Sequence, residues 1–216
     1  PTFAAAASDV PVLGGLFQIL TVRNYDAEDG QVNQHVSVPE VDAKGDLAQQ
    51  VNAEIQERVD AHLAQAQQVW EDYHDAFIAT GGTEDEWSQR EMNVDVNYEI
   101  KSQTDTTVSF VVTMTQDMFD AYNEQTYYNL DIAADKDITL ADVLGEDWVN
   151  ICNAAVQTYI DQDTTGLFFS ADEGGFTTVD EATSFYLNED GSVTLVFPEY
   201  TIAAGAAGIV EIPVAG

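Results

Sequence analysis

Residues 46–79, DLAQQVNAEIQERVDAHLAQAQQVWEDYHDAFIA, contain the strongest periodic pattern in the sequence. Apolar side chains recur there every three or four positions, which places them on one face of an α-helix. We therefore predict an amphipathic helix over about Asp46 to Ala79, with Asp46 as its N-cap and Gly81-Gly82 after its end. The apolar stripe consists of Leu47, Val51, Ile55, Val59, Leu63, Ala66, Val69, Trp70, Tyr73 and Phe77.

Strand patterns lie on both sides of this helix. Alternating or short apolar runs bounded by turn residues are typical of β-strands. Pro39 is predicted to end the second strand, and Gly191 to supply the turn between two of the last three. The predicted strands are 16–22, 32–38, 92–100, 108–114, 122–133, 184–187, 193–197 and 209–213, and the predicted shorter helices are 139–144 and 148–160.

These elements predict an α+β fold, with mainly antiparallel sheets packed against one long helix and shorter helices. The reason is that helices and strands are mixed without the regular βαβ alternation of parallel sheets. We expect an N-terminal segment 1–15, which the resemblance described below implies is membrane-proximal, and an N-terminal α+β subdomain 16–120 with the long helix 46–79 and a hairpin 91–115. A C-terminal α+β subdomain 121–216 follows.

The charge balance restricts the partners. The 216 residues include 39 acidic and 6 basic side chains, for a formal net charge of −33. Such a surface repels nucleic acids, whose phosphates bind Lys and Arg, so we expect no nucleic-acid partner. It attracts basic proteins and speeds their encounter at low salt. Acidity also serves solubility or life in a salty medium, and both interpretations stay open.

The sequence has no recognisable catalytic motif. G-x-S-x-G, H-E-x-x-H, C-x-x-C and P-loop patterns are missing. The single cysteine, Cys152, lies in the apolar context of Trp148 and Ile151, which predicts a buried thiol rather than a reactive one. We expect no catalytic residue, no metal site and no cofactor, and therefore a binding module rather than an enzyme.

Several motifs carry a resemblance to a known family. The C-terminal motifs are 128–131, 137–144, 185–187, Asp190-Gly191, 193–200 with Phe197-Pro198-Glu199-Tyr200, 202–203 and 206–208, and the N-terminal ones are Phe3-Ala4-Ala5, 8–14 and Thr21-Val22-Arg23. With these motifs the C-terminal half resembles a bacterial domain of unknown function, and the N-terminus is similar to the segment that follows the membrane helix in RsiV-type anti-sigma factors. The chain thus resembles the extracellular part of an RsiV-type anti-sigma factor.

The resemblance implies a place and a mechanism. The protein would face the outside of the bacterial cytoplasmic membrane, anchored by an N-terminal helix absent from this chain. Lysozyme or another basic protein would bind, and signal peptidase would then cut near Ala4, Ala5, Ala6 and Ala7. A second cut inside the membrane would release an extracytoplasmic-function sigma factor held by a cytoplasmic part. Because the C-terminal domain also occurs beside peptidoglycan deacetylases, the alternative is a non-catalytic wall-binding module.

We predict that ligands bind at Pro198, Glu199 and Tyr200. Phe197 ends a strand and belongs to the core, and Pro198 stops the ladder because it has no N–H. Glu199 and Tyr200 then lie in a loop held by two strands. Tyrosine adds contact area at a small entropy cost, and Glu199 suits a basic partner. In the alternative, Tyr200 is a structural aromatic whose hydroxyl binds a local backbone group.

Overall fold

The computed structural model describes residues 16–29, 31–118 and 122–214. The predicted α+β class is confirmed, with helices and strands mixed along the chain. The elements are β1 (Phe17–Asp29), β2 (Val32–Ala43), α1 (Asp46–Ala79), α2 (Glu84–Trp87), β3 (Met92–Gln103), β4 (Thr107–Gln116), β5 (Tyr122–Asp131), β6 (Lys136–Asp137), α3 (Leu140–Leu144), α4 (Trp148–Gln162), β7 (Ser184–Leu187), β8 (Val193–Phe197) and β9 (Val210–Val214).

The strands form two sheets. Their strand orders are β1-β2-β3-β4-β5-β6 and β7-β8-β9. The smaller sheet is antiparallel throughout. In the larger one, β2 pairs in parallel with β3, from Val32 opposite Met92 to Val36 opposite Val96. Helix α1 is the crossover between these two strands, so one βαβ connection occurs in a chain whose pattern predicted none.

The chain divides into two compact units. The first contains the residues up to Glu99 together with Val111–Thr126, and the second contains Ile100–Phe110 and Tyr127–Gly216. No single boundary along the chain separates the two units, because the tip of the β3–β4 hairpin belongs to the second unit. The predicted subdomain boundary at 120 remains a prediction, and segment 1–15 lies outside the described residues.

In the first unit, α1 has the predicted bounds and buries six of the ten predicted stripe residues, whereas Leu63, Val69, Tyr73 and Phe77 are half-buried. The predicted cap is wrong by one position: Gly45 occupies the N-cap and Asp46 begins the helix. Asn52 holds the helix to β2, since its Oδ1 accepts the Val41 N–H at 2.8 Å and its Nδ2 donates to the Val41 carbonyl at 3.0 Å. The Asn52 amide thus makes the two hydrogen bonds to the Val41 backbone that a neighbouring strand would otherwise make.

Strands β1 and β2 are longer than their patterns predicted. β1 was predicted to end at residue 22 but continues to Asp29, and β2 passes Pro39 instead of ending there. Pro39 lies opposite Thr21, where the register between the two strands shifts. The pairing of β2 with β3 stops at Val36. A missing N–H is tolerated at such an irregular position with one ladder partner.

The second unit has its own apolar core. All five residues of β8 are buried, including Thr194 and Val196. Cys152 and Val156 of α4 pack against this strand and β9. Phe168 and Phe176, from the mostly polar stretch 161–180, also pack against this core.

Helix α3 lies within the predicted range 139–144 but begins one residue later, at Leu140. Thr139 is the N-cap: its hydroxyl accepts the Asp142 N–H at 3.1 Å, and the Asp142 carboxylate accepts the Thr139 N–H at 2.9 Å. Gly145 ends the helix at a φ of 78°, a backbone conformation that favours glycine. The Asp142 carboxylate also pairs with Lys136, and these contacts hold the pKa of Asp142 down to about 2.

Candidate functional site

The three residues predicted to bind a ligand follow β8 directly, and all are exposed. Phe197, just before them, is buried, and its ring meets that of Phe176 edge-on at a centroid distance of 5.7 Å. The Thr201 N–H donates to the Pro198 carbonyl at 3.2 Å and closes a tight turn. A buried aromatic therefore anchors a turn whose side chains face solvent.

Tyr200 has an unusual conformation for a large side chain. It is 72% exposed, and its φ of 63° lies in the left-handed region. Its ring lies over Gly205, where an added Cβ would overlap the ring. The Tyr200 hydroxyl makes no hydrogen bond with any described residue. Holding a non-glycine residue there costs about 1–3 kcal/mol, and such strain is concentrated at functional sites.

The backbone after the turn is pinned on both sides of Ala203. The Phe169 N–H donates to the Ile202 carbonyl at 3.0 Å, and the Ala204 N–H donates to the Leu167 carbonyl at 2.8 Å. These bonds flank the isolated bridge between Phe168 and Ala203. The turn is thus held by β8 on one side and by the 167–169 segment on the other. No periodic pattern predicted this pairing, because a single bridge has no period.

A cavity of about 320 Å³ lies beside the turn. Phe176, Phe197 and Pro198 give it an apolar wall, and Asp180 places a carboxylate in its lining. Within the described lining there is no Lys, Arg or His. The exposed turn and this acidic, partly apolar hollow together suit a partner that offers a basic or amphipathic side chain.

None of the other candidate chemical groups belongs to the described lining of the cavity beside this turn. Cys152 is buried, as predicted, and desolvation raises the pKa of its thiol to about 11. His35 pairs with Asp26, His74 pairs with Glu84, and His62 is buried in α1. In the described ranges, no group of three or more His, Cys, Asp or Glu side chains is arranged to hold a metal ion.

Two sequence predictions concern the membrane. Ala4, Ala5, Ala6 and Ala7, the predicted signal-peptidase region, lie outside the described residues. Among the helices of the described ranges, none combines the length and apolar character that crossing a bilayer requires. Helix α1 has 34 residues, but charged side chains interrupt it.

A protein-family model matches residues 36–215, and it describes a protein of unknown function, DUF3298. The chain belongs to the DUF3298 family. The match includes the turn Pro198–Tyr200 and the C-terminal motifs on which the resemblance was based.

Two similar proteins add to this family assignment. It is 21% identical to the anti-sigma-V factor RsiV of Bacillus subtilis strain 168 over 219 residues, which cover 98% of this chain and 72% of the relative. The crystal structure of a DUF3298 member from Bacteroides fragilis NCTC 9343 superposes with a TM-score of 0.61 at 14% identity and covers 93% of this chain and 91% of that one. The predicted RsiV-type resemblance is confirmed, and the second match shows a shared fold.

Proposed function

We propose that this DUF3298 chain is the ligand-sensing part of an anti-sigma factor, and that it binds a strongly basic protein such as lysozyme at the turn Pro198–Tyr200. The 21% identity to an anti-sigma factor over 98% of the chain supports a regulatory role. In this proposal the domain lies outside the cytoplasmic membrane and is not an enzyme. Ligand binding exposes the region of Ala4–Ala7 to signal peptidase, and intramembrane cleavage then releases the sigma factor.

The charge supports a basic ligand. A net charge of −33 generates a long-range field that speeds the encounter with a cation-rich protein. Glu199 carries part of that charge on the exposed turn. Charge fixes neither the location nor the identity of the contact, because it is spread over the whole molecule. The location rests on the backbone of Tyr200.

The observation that carries the proposal is the strained, exposed Tyr200. A large aromatic at a φ of 63°, with most of its surface in solvent, contributes little to the core and costs backbone energy. A hydroxyl that bonds no described residue is available to a partner. Tyrosine is also among the residues that contribute most to binding energy at protein interfaces.

The test is titration of hen lysozyme into the domain, by calorimetry at low salt, for wild type and Tyr200→Gly. Glycine relieves the left-handed strain, so we expect the free energy of unfolding to rise by about 1 kcal/mol. Lysozyme affinity should fall by about 30-fold, the effect of losing an interface contact worth about 2 kcal/mol. Greater stability with weaker binding would distinguish a contact residue from a structural one.

Asp135→Gly is the matched control. Asp135 is the second described non-glycine residue with positive φ, at 52°, and it lies away from the turn in sequence and outside the neighbouring cavity. We expect a similar gain in stability and affinity within about twofold of wild type. If Tyr200→Gly also binds within about twofold, the turn is not the docking site. If wild type binds no lysozyme at low salt, the lysozyme proposal is wrong.

A second variant changes the position of the Tyr200 ring without removing it. In Gly205→Ala, the new methyl group occupies the space of the ring, and the exposed side chain has room to swing away. We expect a small change in stability and a several-fold loss of lysozyme affinity, because the aromatic is no longer preorganised. Unchanged affinity would mean that the ring position does not matter for binding.

A further inference from the structure

A larger cavity, of about 620 Å³, also lies in the second unit and shares Ala182, Thr183 and Ser184 with the lining of the smaller cavity. It shares no lining residue with Pro198–Tyr200, and its walls come from β5, the β6–α3 connection, the start of α4 and the chain leading into β7. Sites for small molecules measure roughly 300–1,000 Å³, so this volume suits a ligand rather than a single water. Part of its lining, Tyr128, Asn129 and residues 137–141, belongs to the C-terminal motifs quoted above, to which no ligand was assigned.

Aromatic side chains form much of its wall, namely Tyr127, Trp148 and Phe185. The Tyr127 ring stacks on that of Tyr186 at a centroid distance of 5.9 Å, and the Lys101 ammonium lies 4.9 Å from the Tyr186 ring. An alkylammonium group thus already lies over Tyr186, which stacks on Tyr127 but is not itself among the residues that line the cavity. Aromatic faces attract cations electrostatically, and tryptophan does so most strongly.

Two carboxylates, Asp137 and Glu181, also line the cavity. Both residues are exposed, and neither side chain hydrogen-bonds or pairs with another described residue. Within the described lining there is no Lys, Arg or His. Lys136, the neighbour of Asp137 in the chain, is paired with Asp142 at 2.6 Å. The negative charge of the cavity is therefore not neutralised from within its lining.

We propose that this cavity binds an alkylammonium or alkylguanidinium cation. The aromatic wall receives the methylene chain and the face of the cationic group, while Asp137 and Glu181 supply the countercharge. An anion would be repelled by both carboxylates, and an uncharged ligand would gain hydrogen bonds from them but no ionic attraction. Free polyamines and the lysine or arginine side chains of a protein share this chemistry. The proposal is independent of lysozyme binding at Tyr200.

Calorimetric titration of the intact domain with spermidine and with N-acetyl-lysine amide tests it. N-acetyl-norleucine amide, which has the alkyl chain but no charge, is the ligand control. We expect saturable binding of at least one cation and none of the norleucine compound. Binding of spermidine alone identifies a polyamine site, and binding of the lysine compound identifies a site for a protein side chain.

The variants Asp137→Asn and Glu181→Gln should each weaken cation binding about three- to fivefold, as expected for a partly solvated ion pair. The matched control is Glu189→Gln, which removes one charge from the exposed turn between β7 and β8 outside the cavity. It should leave the affinity within about twofold. Equal losses in all three variants would show a general effect of net charge and overturn the proposal. So would an absence of saturation for both cations by about 10 mM at low salt.

Discussion

Two buried side chains, Ser109 and Asn129, form a hydrogen-bond relay to the backbone of β7. The Leu187 N–H donates to Ser109 Oγ at 3.0 Å, Ser109 Oγ donates to Asn129 Oδ1 at 2.7 Å, and Asn129 Nδ2 donates to the Phe185 carbonyl at 2.8 Å. Ser109 and Asn129 are both buried. Two side chains thus satisfy a backbone donor and a backbone acceptor that would otherwise lack partners at the edge of a strand.

Replacing Asn129 with alanine breaks this relay at two points. The Phe185 carbonyl and the Ser109 hydroxyl both lose a partner, and leaving buried polar groups unsatisfied costs about 1–3 kcal/mol each. We expect the free energy of unfolding of Asn129→Ala to fall by at least about 2 kcal/mol, measured by urea denaturation. Asn150→Ala, on the exposed face of α4, is the control and should change stability by less than about 0.5 kcal/mol. A loss below about 0.5 kcal/mol in Asn129→Ala would mean that water replaces the amide.

His62 predicts a pH dependence. The side chain is buried in α1, and desolvation lowers its pKa, although the Thr115 carbonyl and Glu124 oppose that shift. A histidine whose folded pKa lies below its unfolded value binds protons preferentially in the unfolded state, so stability falls as pH drops below about 6.5. His35 and His74 act in the opposite sense, because carboxylate partners raise their pKa values.

The variant His62→Gln isolates this contribution, because glutamine keeps a donor for the Thr115 carbonyl but does not titrate. Between about pH 7.5 and pH 5.5, wild type should lose more unfolding free energy than His62→Gln does. Urea denaturation at both pH values gives the comparison. A wild type that gains stability relative to the variant as pH falls would contradict the lowered pKa.

At the scale of elements, the four-residue helix α2 secures the end of α1. Its Thr83 N-cap forms a reciprocal capping box with Glu86. Trp87 of α2 is 5% exposed, and its ring centroid lies 4.5 Å from Trp70, 5.1 Å from Tyr73 and 5.7 Å from Phe77. A helix too short to be stable alone is thus held by one tryptophan in the aromatic end of α1.

Removing that ring should destabilise the first unit strongly. We expect Trp87→Ala to lower the free energy of unfolding by about 3–5 kcal/mol, because the cavity lies among large rings that cannot collapse into it. Asp85→Ala, on the exposed side of α2, should cost less than about 0.5 kcal/mol. Denaturation followed by tryptophan fluorescence and by circular dichroism measures both. A cost below about 1 kcal/mol for Trp87→Ala would show that α2 is dispensable for packing α1.

At the scale of the whole molecule, the charge opposes folding. An excess of 33 negative charges repels itself in the compact state, and salt screens that repulsion. We expect the melting temperature to rise by roughly 5 °C or more between about 0.01 and 0.3 M NaCl, where the Debye length shortens most. The association rate with lysozyme should fall over the same range.

The salt concentration at which the melting temperature rises separates simple charge repulsion from adaptation to a salty medium. Screening of simple repulsion is complete near 0.3 M because the Debye length there is already shorter than most separations between charges. A melting temperature that rises only above about 1 M NaCl would indicate adaptation to a salty medium and contradict the electrostatic explanation.

Local sequence determined the elements with strong, self-contained patterns. The bounds of α1 followed from nine turns of one apolar stripe, since period and burial coincide there. Thr139 and Gly145 fixed the ends of α3, and Gly191 fixed the β7–β8 turn, because caps and positive φ depend on residues close in the chain. The motifs at 128–144 and 185–208 also pointed to the family that the comparisons show.

Tertiary structure decided what depends on residues far apart in the chain. Pro39 stays within β2 because β3 has already stopped pairing there, and Ser109 meets Asn129 because their strands are neighbours in the sheet. The conformation of the turn Pro198–Tyr200 also depends partly on local sequence and partly on tertiary structure. Local sequence predicted that Phe197 is buried and that Tyr200 is in a loop, but the left-handed backbone of Tyr200 and its ring over Gly205 come from how the turn is pinned to 167–169. The local pattern predicts which face of an element is apolar, whereas tertiary packing determines which other element that face contacts.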